Sequence, residues 1–168
     1  PGVILQLHKL LYRYHPADGG RYKSQDNAII ETDTQGITRT RFRPTSALAT
    51  PEQMESLCRR YAGVQGEFHP LVTLPLLILD FLCIHPFQDG NGRLSRLLTL
   101  LELHKAGYIV GRYISVERSI ERTKVGYYEA LEASSHGWHE SEHDVRPWLS
   151  YFWGMLEATY AEFEERVQ

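Results

Sequence analysis

The run His85-Pro86-Phe87-Gln88-Asp89-Gly90-Asn91-Gly92-Arg93-Leu94-Ser95-Arg96 strings a base, a carboxylate, a glycine-rich turn and two cations together. Gly90 and Gly92 bracket Asn91, so the backbone here is free to take up positive φ and turn successive N–H groups into one concavity, a nest for an anion. A helix is expected to begin at this point, and its dipole and free first-turn amides add to the attraction. Arg93 and Arg96, spaced i and i+3 on the first turn, fall beside the same site. A helix N-terminus disfavours cations, and a polyphosphate guest resolves that conflict. Asp89 suits a hard cation such as Mg²⁺, which takes one or two carboxylates together with phosphate oxygens. His85, at the end of the preceding segment, titrates near neutral pH and suits a general base.

Other phosphate-binding patterns fit less well. Gly90-Asn-Gly92-Arg-Leu-Ser95 has Ser at the third glycine position of a dinucleotide fingerprint and follows a helix-like segment, not a strand. No Gly-x-x-x-x-Gly-Lys-[Ser/Thr] loop occurs. A competing chemistry is spelled by His139-Glu140-Ser-Glu-His143, the His-Glu-x-x-His pattern of zinc metalloproteases, with Glu162 or Glu164 left to be the third ligand. Gly137 and Trp138 before it, and Asp144 and Pro147 after it, leave little room for the long helix that chemistry needs, so a solvated loop is the favoured account.

The elements that position these residues must come from 168 residues, enough for one domain over 1–168 with a real core. Hydrophobic residues make up 42% and charged residues 23%, an ordinary globular composition that excludes disorder for most of the chain. A net charge of −3 supplies no global field toward nucleic acid or an acidic membrane, so no partner of either kind is expected and phosphate binding must be local. Cys58 and Cys83 are too few for a disulfide framework, and Cys83 reads as a small buried hydrophobe; a reducing, cytoplasmic setting fits. The apolar stretch Leu74 to Ile84 is broken by Pro75 and Asp80 and is shorter than the roughly 18 residues of a membrane span. No signal peptide is visible, and Pro1 in place of an initiator Met reads as the start of a fragment of a longer chain.

Most segments read as helices. Val3 to Tyr14 places Ile4, Leu7, Leu11 and Tyr14 at helical spacing, ended by His15-Pro16 and Gly19-Gly20. Asn27-Ala28-Ile29-Ile30 and Thr38 to Arg43 flank Asp33-Thr-Gln-Gly36 as a hairpin, in which Arg39, Arg41 and Arg43 share one face, solvated or turned to an anionic partner. Thr50 as N-cap, Pro51 at the first position and Gln53 open a helix to about Ala62. Leu71 to Ile84, apolar nearly all round, is expected to be a central buried helix. Helices from Arg93 to Ala106 with Gly107 past the end, Val116 to Ala133, and Pro147 to about Arg166 complete a mainly α bundle around that helix, with one β-hairpin over the site.

His85 to Arg96 matches, at every defined position, His-x-Phe-x-[Asp/Glu]-Gly-Asn-Gly-Arg-x-x-Arg, and so resembles the Fic family of nucleotidyl transferases. Gly20-Arg-Tyr-Lys23 with the hairpin resembles that family's flap. His69-Pro-Leu resembles the lead-in to its central helix, and Ala106-Gly-Tyr108 and Tyr127-Tyr128 the segments after it, extending the likeness over residues 2 to 166. The resemblance implies a protein adenylyltransferase that moves AMP from ATP onto a Ser, Thr or Tyr hydroxyl of a target protein, itself included among the candidates, with pyrophosphate leaving. By the same resemblance His85 is the base, and Asp89 holds Mg²⁺. Gly90, Asn91 and Gly92 cradle the α- and β-phosphates, while Arg93 and Arg96 hold the β- and γ-phosphates. Tyr128 and Ser135 line the nucleotide site, and Asn27 to Ile30 open a flap that clamps the target by strand addition. Alternatives are a Fic-fold transferase of another nucleotide or phosphate-containing donor, the zinc protease above, and a binding module without chemistry. Many members carry [Ser/Thr]-x-x-x-Glu-[Gly/Asn], whose Glu pairs with the second motif Arg, here Arg96; no such match occurs in these residues.

Overall fold

The structure is a computed structural model describing residues 1–15, 19–32 and 35–168. Among them are seven α-helices, one 3-10 turn and one two-stranded antiparallel sheet, the mainly α class with a single hairpin expected above. Pro16, Asp33 and Thr34, invoked above in turns, lie outside the described residues. The chain clusters into two compact units, Pro1–Val64 with Asp80–Ser95, and Gln65–Leu79 with Arg96–Gln168.

In the first unit, α1 (Gly2–Leu11) ends before Tyr14, which is 92% exposed. Its buried face is Ile4, His8 and Tyr12, not Ile4, Leu7, Leu11 and Tyr14. A polar His8 takes the inward place because both its ring nitrogens find partners there, described below. Strands β1 (Ile29–Thr32) and β2 (Thr38–Phe42) pair with Glu31 opposite Arg39, and the register shifts between Ile29 and Ile30, which face Phe42 and Thr40. Arg41 is the extra residue of this bulge, and Arg43 lies beyond the strand. The expected arginine face is therefore broken, and Arg39 spends its charge on Glu31 at 2.7 Å. Helix α2 (Thr50–Val64) begins at Thr50, as expected, but Thr50 does not act as its side-chain cap. Ser46 Oγ accepts the Ala49 amide at 3.3 Å, and the Thr50 hydroxyl donates back to Ser46 O at 2.8 Å instead of capping.

Helix α3 (Pro70–Ile84) is buried along most of its length, as its apolar composition demands, and Cys83 is 1% exposed. Helix α4 (Asn91–Lys105) starts two residues before Arg93, which moves Arg96 to the second turn. The two helices contribute residues to both units.

In the second unit, Pro75 inside α3 has no N–H for the Leu71 carbonyl, and the Trp153 indole supplies one instead, Nε1 donating at 2.7 Å. Trp148, fully buried, donates to the Pro75 carbonyl at 2.7 Å. Helix α4 ends as expected on Gly107, at φ +88°, with the Tyr108 amide on Leu103 O at 2.8 Å and the Gly107 amide on His104 O at 3.1 Å. A 3-10 turn (Val110–Arg112) follows. The single helix expected from Val116 to Ala133 divides into α5 (Val116–Arg122) and α6 (Lys124–Ser135). Thr123 lies between them at φ −108°, ψ 26°, its hydroxyl donating to Ser119 O at 2.9 Å. Helix α7 (Arg146–Val167) opens on Pro147, with its Trp148 amide on Ser134 Oγ at 3.1 Å. No helix among the described residues is long and apolar enough to cross a membrane.

Candidate functional site

The site grows from the end of α3. His85, the residue after Ile84, sits at φ +51°, a left-handed conformation that costs a β-carbon residue on the order of 1–3 kcal/mol and persists only where neighbours hold it. Its amide donates to Phe81 O at 2.9 Å and its Nδ1 lies 3.2 Å from Leu82 O. A carbonyl only accepts, so Nδ1 carries the proton and Nε2 keeps its lone pair. Burial, with a smaller push from Lys23, lowers the His85 pKa to about 4, so the ring is neutral at pH 7.

Asn91 closes the loop. It is 1% exposed, its Oδ1 accepting the Phe87 amide at 2.9 Å and its Nδ2 donating to Phe87 O at 2.7 Å. Its side chain is thus bonded to the loop, and its main chain stands at the start of α4. Of the two motif glycines only Gly90 is at positive φ, +85°, and a β-carbon there would lie 2.9 Å from the Tyr12 ring, so α1 approaches to where only glycine fits. Gly92 lies inside the first turn of α4.

Asp89 faces three donors. The Gly90 amide meets Oδ1 at 2.6 Å, while the Tyr12 hydroxyl at 2.7 Å and Arg93 at 3.0 Å meet Oδ2. The Tyr12 bond first, with the Gly90 amide and Arg93 behind it, holds its carboxyl below the usual range against the opposing effect of burial. Arg93 also donates to the Tyr12 oxygen at 2.7 Å, closing a triangle with Tyr12 and Asp89. Beneath it, His8 accepts the Gly20 amide on Nδ1 at 2.9 Å, donates from Nε2 to Asp89 O at 3.0 Å, and stacks on Phe87 at 3.7 Å between centroids. Leu11, Tyr12, Tyr14, His15, Asp89 and Arg93 line a cavity of about 270 Å³. Tyr12 and His8 escaped the sequence reading. Their one signal, a polar pair at i, i+4, was masked by the apolar residues of the same helix.

The donor set fits Mg²⁺ carried by phosphates. Asp89 is ionised and its side chain 77% exposed, while no group of three or more His, Cys, Asp or Glu among the described residues could hold a metal by itself. The zinc-type segment shows what its flanks foretold. Residues 137–141 are turn and 142–145 irregular, so His139 and His143 do not share a helical face.

In the second unit, Arg96 pairs with Glu117 of α5 at 3.6 Å, a carboxylate partner that no motif announced. Tyr128 is 44% exposed, edge-on to Tyr127 at 5.3 Å. Ser135 is buried, and its hydroxyl donates to Glu132 O at 3.0 Å. Of the flap residues, Asn27 donates to Phe87 O at 3.2 Å, Ala28 precedes β1, and Ile29 and Ile30 begin it, with Ile30 64% exposed.

The turn from α3 into α4 thus carries a neutral histidine, a left-handed glycine and Arg93 within a mainly helical chain. The chain belongs to the Fic/DOC family, whose match covers residues 1–103. It is 28% identical over 156 residues to the protein adenylyltransferase Fic of Nematostella vectensis, covering 88% of this chain and 30% of that protein. With the protein of the same name from Aedes aegypti it shares 34% over 92 residues, 55% of this chain and 16% of the relative. The chain thus spans under a third of these relatives. Among solved structures, a Fic family protein from Desulfovibrio desulfuricans superposes with a TM-score of 0.79 at 28% identity, over 99% of this chain and 48% of that one. A Fic domain containing signaling protein from Bacteroides thetaiotaomicron shares the fold, with a TM-score of 0.72 at 24% identity over 94% of this chain and 59% of the other.

Proposed function

We propose that this chain carries the transferase site of a protein adenylyltransferase, moving AMP from ATP to a hydroxyl side chain of a target protein. The observation that carries the reading is His85, neutral with its proton on Nδ1, followed at once by the left-handed Gly90, the start of α4 and Arg93. His85 Nε2 accepts the proton of the target hydroxyl as its oxygen attacks the α-phosphorus. The bond from that phosphorus to the β-phosphate bridging oxygen breaks, and pyrophosphate leaves. Past Gly90, whose amide is held by Asp89, the Asn91 and Gly92 amides at the start of α4 receive the phosphates, and Arg93 and Arg96 neutralise charge toward the γ end. Asp89 would hold Mg²⁺, which when bound neutralises phosphate charge and orients the leaving group. The exposed edge of the two-stranded hairpin, beginning after Asn27 and Ala28, suits main-chain pairing with an extended target segment. Names borne by the relatives support AMP as the group transferred.

The test is intact-protein mass after incubation with ATP and Mg²⁺, alone and with lysate proteins, beside His85→Ala. An AMP adduct that falls by roughly 10²- to 10⁴-fold in rate in His85→Ala, with ATP binding retained by calorimetry, is expected. Transfer undiminished in His85→Ala, or no ATP binding to the wild-type chain, overturns the reading.

A further inference from the structure

Lys23 is a lysine with 5% of its surface exposed, and nothing in the proposed reaction uses it. A charged ammonium leaves water only where partners compensate it, and here they are specific. Nζ donates to Ile84 O at 3.1 Å and to Asn27 Oδ1 at 2.9 Å. The Lys23 amide donates to Pro86 O at 2.9 Å, and Asn27 Nδ2 to Phe87 O at 3.2 Å. The carbonyls of residues 84, 86 and 87 are therefore all held from the 23–27 segment, and the residue they surround is His85 in its left-handed conformation. Strand β1 starts two residues after Asn27, so the same staple anchors the base of the hairpin.

We propose that Lys23 is a positioning residue for the His85 base: with Asn27 it locks the backbone on both sides of His85 in the strained geometry and places a cation against the imidazole. This rests on His85 acting as the base, as proposed above. Two charged groups act on that ring, Lys23 against protonation and Asp89 in its favour. Lys23 itself is pushed down to about 8 by burial, with Asp26 opposing, so it remains mostly protonated at pH 7.

Two readouts separate this from mere packing. In the full chain with labelled histidine, the NMR titration of His85 is followed in wild type, Lys23→Met, Lys23→Gln and Lys23→Arg. Losing the cation in Lys23→Met and Lys23→Gln is expected to move the His85 midpoint upward, while Lys23→Arg leaves it near wild type. In AMP transfer, Lys23→Met should lower kcat roughly 10- to 100-fold, the scale of a misplacement near 1 Å. KM for ATP stays within about twofold, because the phosphate groups are untouched. Lys23→Gln keeps a donor for Ile84 O and serves if the apolar variant fails to fold. An unmoved midpoint in a folded neutral variant, or kcat unchanged in both, overturns the proposal. The titration arm needs no activity, so it is informative even if His85→Ala proves as active as wild type and the base assignment itself falls.

Discussion

Around Asp89 a single hydroxyl does the ordering. Tyr12 donates to the carboxylate that would carry the metal and accepts from Arg93, so its loss leaves a charged pair joined by one bond where three had met. Tyr12→Phe keeps the ring that packs against Gly90 and removes only this hydroxyl. Binding of Mg·ATP, measured by calorimetry, should weaken by about 3- to 10-fold, the worth of one hydrogen bond to a charged group partly made good by water. Unchanged affinity would show the triangle to be incidental. The motif residues were legible in sequence because they lie within twelve consecutive positions, and local chemistry is readable from spacing. Tyr12, His8 and Lys23 were not, because each acts on residues more than 60 positions away, a separation for which a single sequence has no signal.

Secondary elements were legible where backbone chemistry decides them and blurred where side chains compete. Gly107 ends α4 as expected because a left-handed residue is needed there. Thr50 instead bonds main chain behind it where a cap was expected, and Thr123 splits a helix in the same way, choices that depend on packing. The bulge at Arg41 undid a period-of-two face for the same reason, since alternation assumes an unbroken ladder. Pro75 shows a helix defect repaired at a distance. Trp153→Phe should cost about 1 kcal/mol in urea unfolding, because the Leu71 carbonyl then lacks both its helical donor and the indole. In Pro75→Ala, whose residue 75 regains an N–H for that carbonyl, the same change should cost almost nothing. Equal costs in the two backgrounds would mean that the indole acts only by packing.

For the chain as a whole, acid sensitivity has two separable windows. The formal charge of −3 is small, so self-repulsion is a minor factor near neutral pH. Local linkage decides instead. His85 falls from the ordinary 6.5 to about 4 on folding, so between those values the unfolded chain binds more protons than the native one. Stability is therefore full above pH 6.5 and declines as pH falls toward 4. His8, lowered chiefly by burial, acts with the same sign. The carboxylates of Asp89 and Asp144, both lowered on folding, keep their contribution above their ordinary 3.8 and lose it only below, outside this window. The urea midpoint should thus drop from pH 7 to pH 5 with an unchanged m value. The His85 share is on the order of 1 kcal/mol, discounted from full linkage because the ring is not wholly enclosed. In His85→Gln, which has no proton to gain, the same drop should be visibly shallower, with the His8 part remaining. Parallel pH curves for wild type and variant would mean that His85 is not held neutral by the fold, and would remove the basis for its reading as a base ready at neutral pH.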